Sequence, residues 1–223
     1  MQTLLTDFRT ELLDRLLDVL WRQWTTLGVS GRGQTWLGPT IDPDALLLLS
    51  CTIARYDARL FDAMLEWLRI NGRFVSVQRI KRVLRDENFS GERVLRAVAA
   101  ATSTSVNEIK WARLIRDKTS ARENKESLFF LKNGNALPVV HEPDPLFEKY
   151  GFLRDRFEER GVAEPFHPEP VSNLLLRLRA LLGVNARCEI FQYLLLNSRG
   201  SPRAMAKDCY YFPATISKAL AER

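Results

Sequence analysis

Short hydrogen-bonding side chains and one cation lie close together near the end of the chain, in the stretch PATISKAL at residues 213–220. A 3.6-residue period predicts a helix here, with Ile216 and Leu220 on its inner face. The predicted outer face consists of Ala214, Thr215, Ser217 and Lys218. Methyl, hydroxyl and ammonium groups of this size suit base edges and phosphates in a DNA major groove. The pattern therefore predicts a helix that binds nucleic acid.

A second short helix and a tight aromatic turn come directly before this surface, in SPRAMAKDCYYF at residues 201–212. Ser201 is a favoured helix cap, and Pro213 suits the first turn of the next helix because its missing N–H costs nothing there. The predicted inward-facing residues of the pair are Met205, Cys209, Ile216 and Leu220, and small Ala206 lets the helices cross closely. The layout predicts a helix-turn-helix. Its candidate DNA-binding residues are Arg203, Lys207, Pro213, Ala214, Thr215, Ser217 and Lys218.

From Asn185 to Ala221 the sequence resembles the bacterial winged-helix transcriptional regulators of the ArsR and MarR type. The resemblance is carried without a gap by Ser201, Met205, Ala206, Thr215, Ile216, Ser217, Lys218 and Leu220. It implies a support helix, a recognition helix and one helix packed behind the pair. Tyr210 stands where the family often has glycine, so we expect a longer or differently shaped turn if that site needs a positive φ. The family's wing would follow Arg223, and we therefore expect this sequence to be part of a longer protein.

The rest of the chain predicts a mainly α fold. Residues 1–160 are predicted to form a helical N-terminal domain, in which an Asn-Gly pair between two apolar runs predicts one β-hairpin near 127–140. Three prolines within residues 161–171 predict a linker or an extended wrap. Residues 172–223 are then the helix-turn-helix domain, without its wing.

Apolar periodicity and helix-capping residues predict the helices of the N-terminal domain. The first, over 2–26, has an apolar stripe wide enough for a core contact or for a homodimer contact, and the sequence leaves both open. Asp42 caps the next helix. Further helices are predicted over 57–70, 76–87, 91–103 and 106–115, with Arg79, Lys81, Arg82 and Arg85 facing outward. The order of helices and helix-ending residues around Asn71 is similar to that of the C-terminal helix-turn-helix, so a second helix-turn-helix is one interpretation. Unrelated helices share such signals, and chance similarity is the other.

The net charge of +6 is distributed unevenly. Eight Lys/Arg stand against three Asp/Glu over 69–96, six against two over 110–125, and eight against three over 177–223, whereas residues 1–68 carry six against nine. Basic segments favour a nucleic-acid partner, although basic helix faces are also common as solvated surfaces. A shared face for the three segments would favour DNA.

Signatures of other function classes are incomplete. The cysteines and histidines are Cys51, Cys188, Cys209, His141 and His167. They are widely spaced and stand apart from acidic clusters, so no metal or other cofactor is expected. Residues 28–36 have the spacing of a phosphate-binding loop, but Gln34 replaces the required lysine and a helix precedes the loop where a strand is needed. An enzyme is therefore not expected.

Composition also bears on localisation. The longest apolar run, residues 45–49, is far shorter than the roughly 20 residues that span a bilayer, and charged residues interrupt the N-terminus. We expect a cytoplasmic protein without a membrane span.

The leading interpretation is a DNA-binding transcriptional regulator that forms a homodimer, and the alternative is a protein-interaction module on a winged-helix scaffold. The small, polar and basic outer face of the last helix favours DNA, because protein-binding faces carry large apolar anchors.

Overall fold

The computed structural model describes residues 2–31, 34–103, 108–115, 125–197 and 199–222. Helix accounts for 62% and strand for 5%, which confirms the predicted mainly α fold. The described helices are α1 (Gln2–Thr26), α2 (Pro43–Ile53), α3 (Ala58–Asn71), α4 (Val77–Asp86), α5 (Glu92–Ala101), α6 (Glu108–Ile115), α7 (Pro145–Lys149), α8 (Leu174–Leu182), α9 (Ala186–Asn197), α10 (Pro202–Asp208) and α11 (Pro213–Ala221). Two short strands, β1 (Glu126–Ser127) and β2 (Phe152–Leu153), pair in parallel. Across the part of the chain that is described, no helix has both the length and the apolar character needed to cross a membrane.

One large hydrophobic cluster joins residues from α1 to α8. At its centre, Trp24 of α1 and Trp67 of α3 meet edge to face, with ring centroids 5.2 Å apart. Trp24 donates its indole N–H to Ser50 Oγ at 2.9 Å, and Trp67 donates to the Leu27 carbonyl at 2.7 Å. Because both N–H groups are satisfied, the rings add buried area without an unpaired donor. This cluster is the body on which the other elements lie.

The first helix is divided between the core and the solvent. The C-terminal half of α1 buries Leu17, Leu20 and Trp24 in the large cluster. The exposed large apolar side chains of its N-terminal half are Leu4 (74%), Leu5 (60%), Phe8 (61%) and Leu12 (45%). The core-contact interpretation of the predicted stripe is therefore confirmed for the second half of α1, and the first half presents an exposed apolar face.

Side-chain caps determine where α2, α3 and α4 begin. Asp42 accepts hydrogen bonds from two N–H groups at the start of α2, Asp57 does the same for α3, and Ser76 accepts one at the start of α4. Each cap satisfies N–H groups that have no partner inside the helix. The predicted starts are confirmed to within about one residue. In a second helix-turn-helix, α5 would be the recognition helix, because it follows α4. It packs against α6 and α7 and has no exposed residue, so it is not free to contact DNA.

The β-hairpin predicted near 127–140 is confirmed only in part. The chain does turn back at the Asn-Gly pair, but only Phe130 and Ala136 form an antiparallel bridge. Leu128 donates its N–H to β2 at 2.8 Å instead, which places β1 in the parallel pair. Pro138 has no N–H with which to extend the hairpin. The hairpin therefore consists of its turn, this bridge and two backbone hydrogen bonds, from the Leu131 N–H to Asn135 at 2.8 Å and from the Leu137 N–H to Phe129 at 2.9 Å, without a longer ladder.

The proline-containing segment 161–171 begins as an extended wrap along the large cluster. Glu66 on α3 accepts hydrogen bonds from the N–H groups on both sides of Gly161, at 2.6 and 2.7 Å. Asn71, at the end of α3, bonds to two backbone groups of residues 164–166, at 2.9 and 3.2 Å. These bonds tie the backbone to α3, so the segment is not a free linker.

The last three helices share a second, much smaller hydrophobic cluster. Its buried members are Ala186, Ile190, Met205, Ala206, Cys209, Tyr211 and Ile216. α8 precedes them within the predicted domain 172–223, but its Leu176 belongs to the large cluster. The unit formed by α9, α10 and α11, here called the C-terminal unit, is therefore carried on a helix that packs into the body.

Candidate nucleic-acid interface

The predicted helix-turn-helix occurs as α10, a four-residue turn and α11. Ser201 Oγ accepts a hydrogen bond from the Ala204 N–H at 3.2 Å and caps α10. Phe212 is the N-cap residue of α11, and Pro213 occupies its first turn. The capping roles predicted for Ser201 and Pro213 are confirmed, because both depend on residues that are neighbours in the sequence.

Tyr210 adopts the left-handed backbone conformation, with φ of +56°. The turn thus keeps a positive φ with tyrosine in place of glycine, at a cost of about 1–2 kcal/mol. The Tyr210 hydroxyl donates a hydrogen bond to Glu87 at 2.8 Å, and the Arg79 guanidinium lies 5.7 Å from its ring centroid. These contacts with α4 and the residue after it hold the strained turn against the body.

Three of the four residues predicted to face inward are buried, namely Met205, Cys209 and Ile216. The prediction for Leu220 is wrong, because its side chain is 45% exposed. Ala221 and Glu222 are exposed as well, so the last turn of α11 lies outside the small cluster.

Six of the seven candidate DNA-binding residues are exposed. They are Arg203 and Lys207 on α10, and Pro213, Ala214, Ser217 and Lys218 on α11. Thr215 is half-buried. The exposed set combines three cations with a hydroxyl and two small apolar side chains, so the outer face of the pair has the chemistry expected from the sequence.

Basic side chains of α4 and α6 converge on the start of α11. A pocket of about 230 Å³, here called the basic pocket, is lined in part by Lys81, Arg82, Arg85, Arg113, Tyr211 and Phe212, and its described lining includes no carboxylate. The guanidinium groups of Arg82 and Arg85 lie 4.2 and 5.8 Å from the ring centroid of Phe212, within cation–π range. The segments 69–96 and 110–125 therefore both place cations beside the candidate recognition helix.

The described cations of segment 110–125 differ in whether they line the basic pocket. Arg113 is exposed at the basic pocket. Lys110 instead donates hydrogen bonds to the carbonyl oxygens of Gly72 and Arg73, at 3.3 and 2.8 Å, and burial lowers its pKa to about 8. The other cations predicted in this segment lie outside the described residues, apart from Lys125.

A larger cleft of about 880 Å³ also borders Tyr210. Its charged lining residues are Arg82, Arg203, Lys207, Asp86, Glu87 and Asp208. Three basic and three acidic side chains balance one another there. The excess positive charge beside α11 therefore lies at the basic pocket and not in this cleft.

Arg79 was predicted to face outward, and this prediction is wrong. Its side chain is buried and donates to Asp42 at 2.5 and 2.6 Å and to Asp44 at 3.1 Å. It also donates to the carbonyl oxygen of Cys209 in the turn at 3.2 Å. Burial alone would raise the pKa of Asp42, but the charge and hydrogen bonds of Arg79 hold it below its ordinary value.

Arg179 of α8 completes a buried ion network that the sequence did not reveal. It donates to both oxygens of Asp44, at 3.0 and 2.7 Å, and to Glu189 of α9 at 2.5 Å. Burial raises the pKa of Glu189 despite the opposing charge of Arg179. The members of this network, here called the buried ion network, are Asp42, Asp44, Arg79, Arg179 and Glu189. The only sequence signal was an arginine within the leucine-rich stretch of α8.

The described residues do not bring metal-ligating side chains together. They contain no group of three or more His, Cys, Asp or Glu side chains placed to hold a metal ion. In the glycine-rich stretch 28–36, Val29 forms a bridge with Ala163, and Arg32 and Gly33 lie outside the described residues. The arrangement can bind anionic or hydrogen-bonding partners through α10, α11 and the basic pocket. No family model matches the chain, and no curated protein or solved structure matches it either.

Proposed function

We propose that the protein is a DNA-binding transcriptional regulator that acts in the cytoplasm, without catalytic activity, and contacts duplex DNA through α11. The observation that carries the proposal is the convergence of the basic side chains of α4 and α6 on the start of this exposed helix. An exposed recognition helix supplies base contacts, and neighbouring cations supply phosphate contacts.

The outer face of α11 has the size and chemistry for a major groove. Nine residues of helix are about 14 Å long, comparable with the groove width of about 12 Å. Ala214 offers a methyl contact for thymine, Ser217 offers a hydroxyl, and Lys218 offers a cation for a phosphate or a guanine edge. Arg203 and Lys207 of α10 are exposed, but they line the larger cleft, so we expect a smaller contribution from them than from Lys218.

The acidic residues near the turn restrict how the duplex can lie. Asp208 and Glu87 are exposed at the larger cleft, where they would repel phosphates. The basic pocket borders the same turn without a described carboxylate in its lining. We therefore place the duplex across α11 on the side of the basic pocket.

Fluorescence anisotropy with a labelled duplex from the gene's own upstream region, across a salt series, tests the proposal. Affinity should fall steeply as salt rises, because each neutralised phosphate releases counterions. Lys218→Glu should weaken binding and lower the salt slope by about one unit or more. The matched control is Lys149→Glu, which changes an exposed lysine on α7, a helix that packs against α5.

Two outcomes would overturn the proposal. In one, the wild-type protein binds the duplex no better than a neutral control protein. In the other, Lys218→Glu and Lys149→Glu bind alike. Circular dichroism of both variants excludes misfolding as the cause of a loss.

We further propose that two copies pair through the exposed first half of α1. Leu4, Phe8 and Leu12 follow one another at a spacing of four on an exposed helix face. An antiparallel pair centred on Phe8 sets Leu4 opposite Leu12 and Arg9 opposite Asp7 of the second copy, so apolar and charged positions are both complementary. A two-fold dimer would also match the symmetry of a palindromic operator.

Light scattering on the full chain and on Phe8→Glu tests the pairing. Deleting residues 1–26 is not suitable, because Leu20 and Trp24 are buried in the large cluster. We expect a dimer that Phe8→Glu converts to a monomer. A wild-type monomer at high concentration, or a dimer that survives Phe8→Glu, contradicts this contact.

The apolar surface of α9 favours a second candidate function, a protein-interaction module. Phe191, Leu195 and Leu196 are 52%, 65% and 61% exposed on this helix. Large apolar anchors of this kind are typical of protein contacts. If no duplex binds and Leu195→Glu, rather than Phe8→Glu, abolishes self-association in light scattering, the interaction module becomes the better description.

A further inference from the structure

We propose that the basic pocket binds one phosphate group of the DNA backbone, beside the groove that α11 enters. The inference rests on the proposed function and extends it to residues outside the helix-turn-helix. It assigns the body of the protein, through α4 and α6, a direct part in binding. The residues that would carry the contact are Lys81, Arg82, Arg85 and Arg113.

The pocket has more positive charge than its surroundings neutralise. Asp86 accepts hydrogen bonds from Arg82 at 2.8 Å and from Arg85 at 3.2 Å, so two guanidinium groups share one carboxylate. Hydrogen bonds from Arg82, and then from Arg85, lower the pKa of Asp86, which stays ionised. Lys81 and Arg113 are exposed and have no ion-pair partner among the described residues. An anion placed here meets a net excess of about three positive charges.

The guanidinium groups are already oriented before an anion arrives. The rings of Phe212 and Tyr211 form part of the pocket wall, and Phe212 packs against both Arg82 and Arg85. Arg82 also keeps one buried nitrogen, Nη1, that has no hydrogen-bond partner within the described structure. Stacked, planar guanidinium groups lose less side-chain freedom when they bind a phosphate oxygen. The site therefore favours a phosphate over a diffuse counterion atmosphere.

The size of the pocket selects a single anionic group. Its volume of about 230 Å³ lies below the roughly 300–1,000 Å³ of pockets that enclose a drug-sized ligand, so a whole nucleotide does not fit inside. The first turn of α11 begins at Phe212 in the pocket wall, and the positive end of its helix dipole adds to the attraction. A phosphate that projects from a longer molecule suits this geometry.

The contact would fix the register of α11 on the duplex without reading its sequence. Backbone contacts position a protein, whereas base contacts specify the site. We therefore expect the loss of the pocket's cations to weaken binding to every duplex alike. Loss of Lys218 could instead change the preference among duplexes if Lys218 reads a guanine.

The double variant Arg85→Ala/Arg113→Ala tests the inference by anisotropy with two duplexes of different sequence across a salt series. Both side chains are exposed, so the fold should persist, and circular dichroism checks it. The slope of log Kd against log salt should fall by about one unit, because one phosphate contact is lost, and the fall should be equal for both duplexes. The control is Lys149→Ala/Arg156→Ala, which removes two exposed cations that do not line the pocket.

Each outcome decides a separate claim. If Lys218→Glu weakens binding while the pocket variant matches its control, the inference is wrong and the proposed function stands. If the wild-type protein binds neither duplex, the proposed function fails. Calorimetric titration with inorganic phosphate then shows whether the basic pocket binds phosphate at all. Saturable heat that the pocket variant lacks would support a phosphate site that serves a phosphorylated small molecule. Absence of such heat would overturn the site.

Discussion

The body and the C-terminal unit are held together by different forces. Among the described residues, the body buries three tryptophans and three phenylalanines of its large cluster almost completely, together with many leucines. The described residues of the C-terminal unit contribute seven buried members to its cluster, of which Tyr211 is the largest. Since the apolar area removed from water sets most of the stability of a fold, the small unit has little stability of its own.

Buried charged residues tie the C-terminal unit to the body, which its small cluster does not do. The buried ion network joins α2 and α4 of the body to α8 and α9, and Arg79 reaches the turn itself. A buried ion pair adds little net stability over a well-packed apolar pair, but breaking one is costly and its geometry is specific. Apolar area therefore stabilises the body, whereas charge pairing determines where the helix-turn-helix lies.

Of the variants that separate the two regions, Arg179→Met should have the largest effect. The variant leaves Asp44 and Glu189 buried without their shared partner, and one oxygen of Glu189 already lacks a hydrogen bond within the described structure. We expect the free energy of unfolding to fall by about 3–5 kcal/mol. Urea unfolding followed by circular dichroism measures it.

The matched control is Arg187→Met, which removes an arginine from an exposed ion pair with Glu222 on the same unit. Its cost should be below about 1 kcal/mol. If the two arginine variants are equally stable, the network does not hold the unit in place, and the comparison between the two regions fails.

Ile216→Ala should destabilise the C-terminal unit alone. Ile216 is completely buried in the small cluster, and its truncation should cost about 2–3 kcal/mol there. Hydrogen exchange should show faster exchange in α10 and α11 but unchanged exchange in α3. The matched change in the body is Leu47→Ala, at a buried position of the large cluster, which should accelerate exchange throughout. Uniform acceleration by Ile216→Ala would indicate one cooperative unit.

The features that could be predicted from the sequence are those set by neighbouring residues. Ser201 and Pro213 marked helix starts correctly, because a cap and a first-turn proline act within three residues. The hairpin near 127–140 formed only around its turn, because an Asn-Gly turn does not determine which strand its flanks will pair with. Here Leu153 of β2, about 25 residues further along the chain, accepts the N–H of Leu128 instead.

The candidate site divides in the same way. Helical periodicity placed Lys218 and Ser217 on the outside, as the structure has them. It could not show that Arg79 would meet carboxylates of α2, because those lie on a helix that sequence spacing does not bring near. For the same reason, the position of Arg113 and Phe212 in the wall of one pocket could not be predicted from either segment.

Tyr210 tests how firmly the turn is fixed to the body, with a smaller expected effect. Tyr210→Gly relieves the left-handed backbone of about 1 kcal/mol but loses the hydrogen bond to Glu87, worth a similar amount. Tyr210→Phe loses the bond and keeps the strain. We expect the glycine variant to have a Tm at least as high as the phenylalanine variant. A much lower Tm for glycine would show that the ring's contact with Arg79 dominates.

Lys110 offers the smallest and most local test, at the edge of the body beside the buried ion network. Burial lowers its pKa to about 8 from an ordinary value of 10.5, although Asp44 acts in the opposite direction. Between these two pH values the unfolded chain keeps the proton and the folded chain does not, so stability from this group rises as pH rises through that window.

Lys110→Met should remove this rise. The difference in free energy of unfolding between wild type and variant, measured by urea titration from pH 7.5 to 10.5, should therefore increase with pH. Tyrosines and cysteines that titrate in the same range cancel in this difference, since both proteins contain them. A difference that stays constant with pH would mean that the Lys110 ammonium remains solvated and that this edge of the body is open to water.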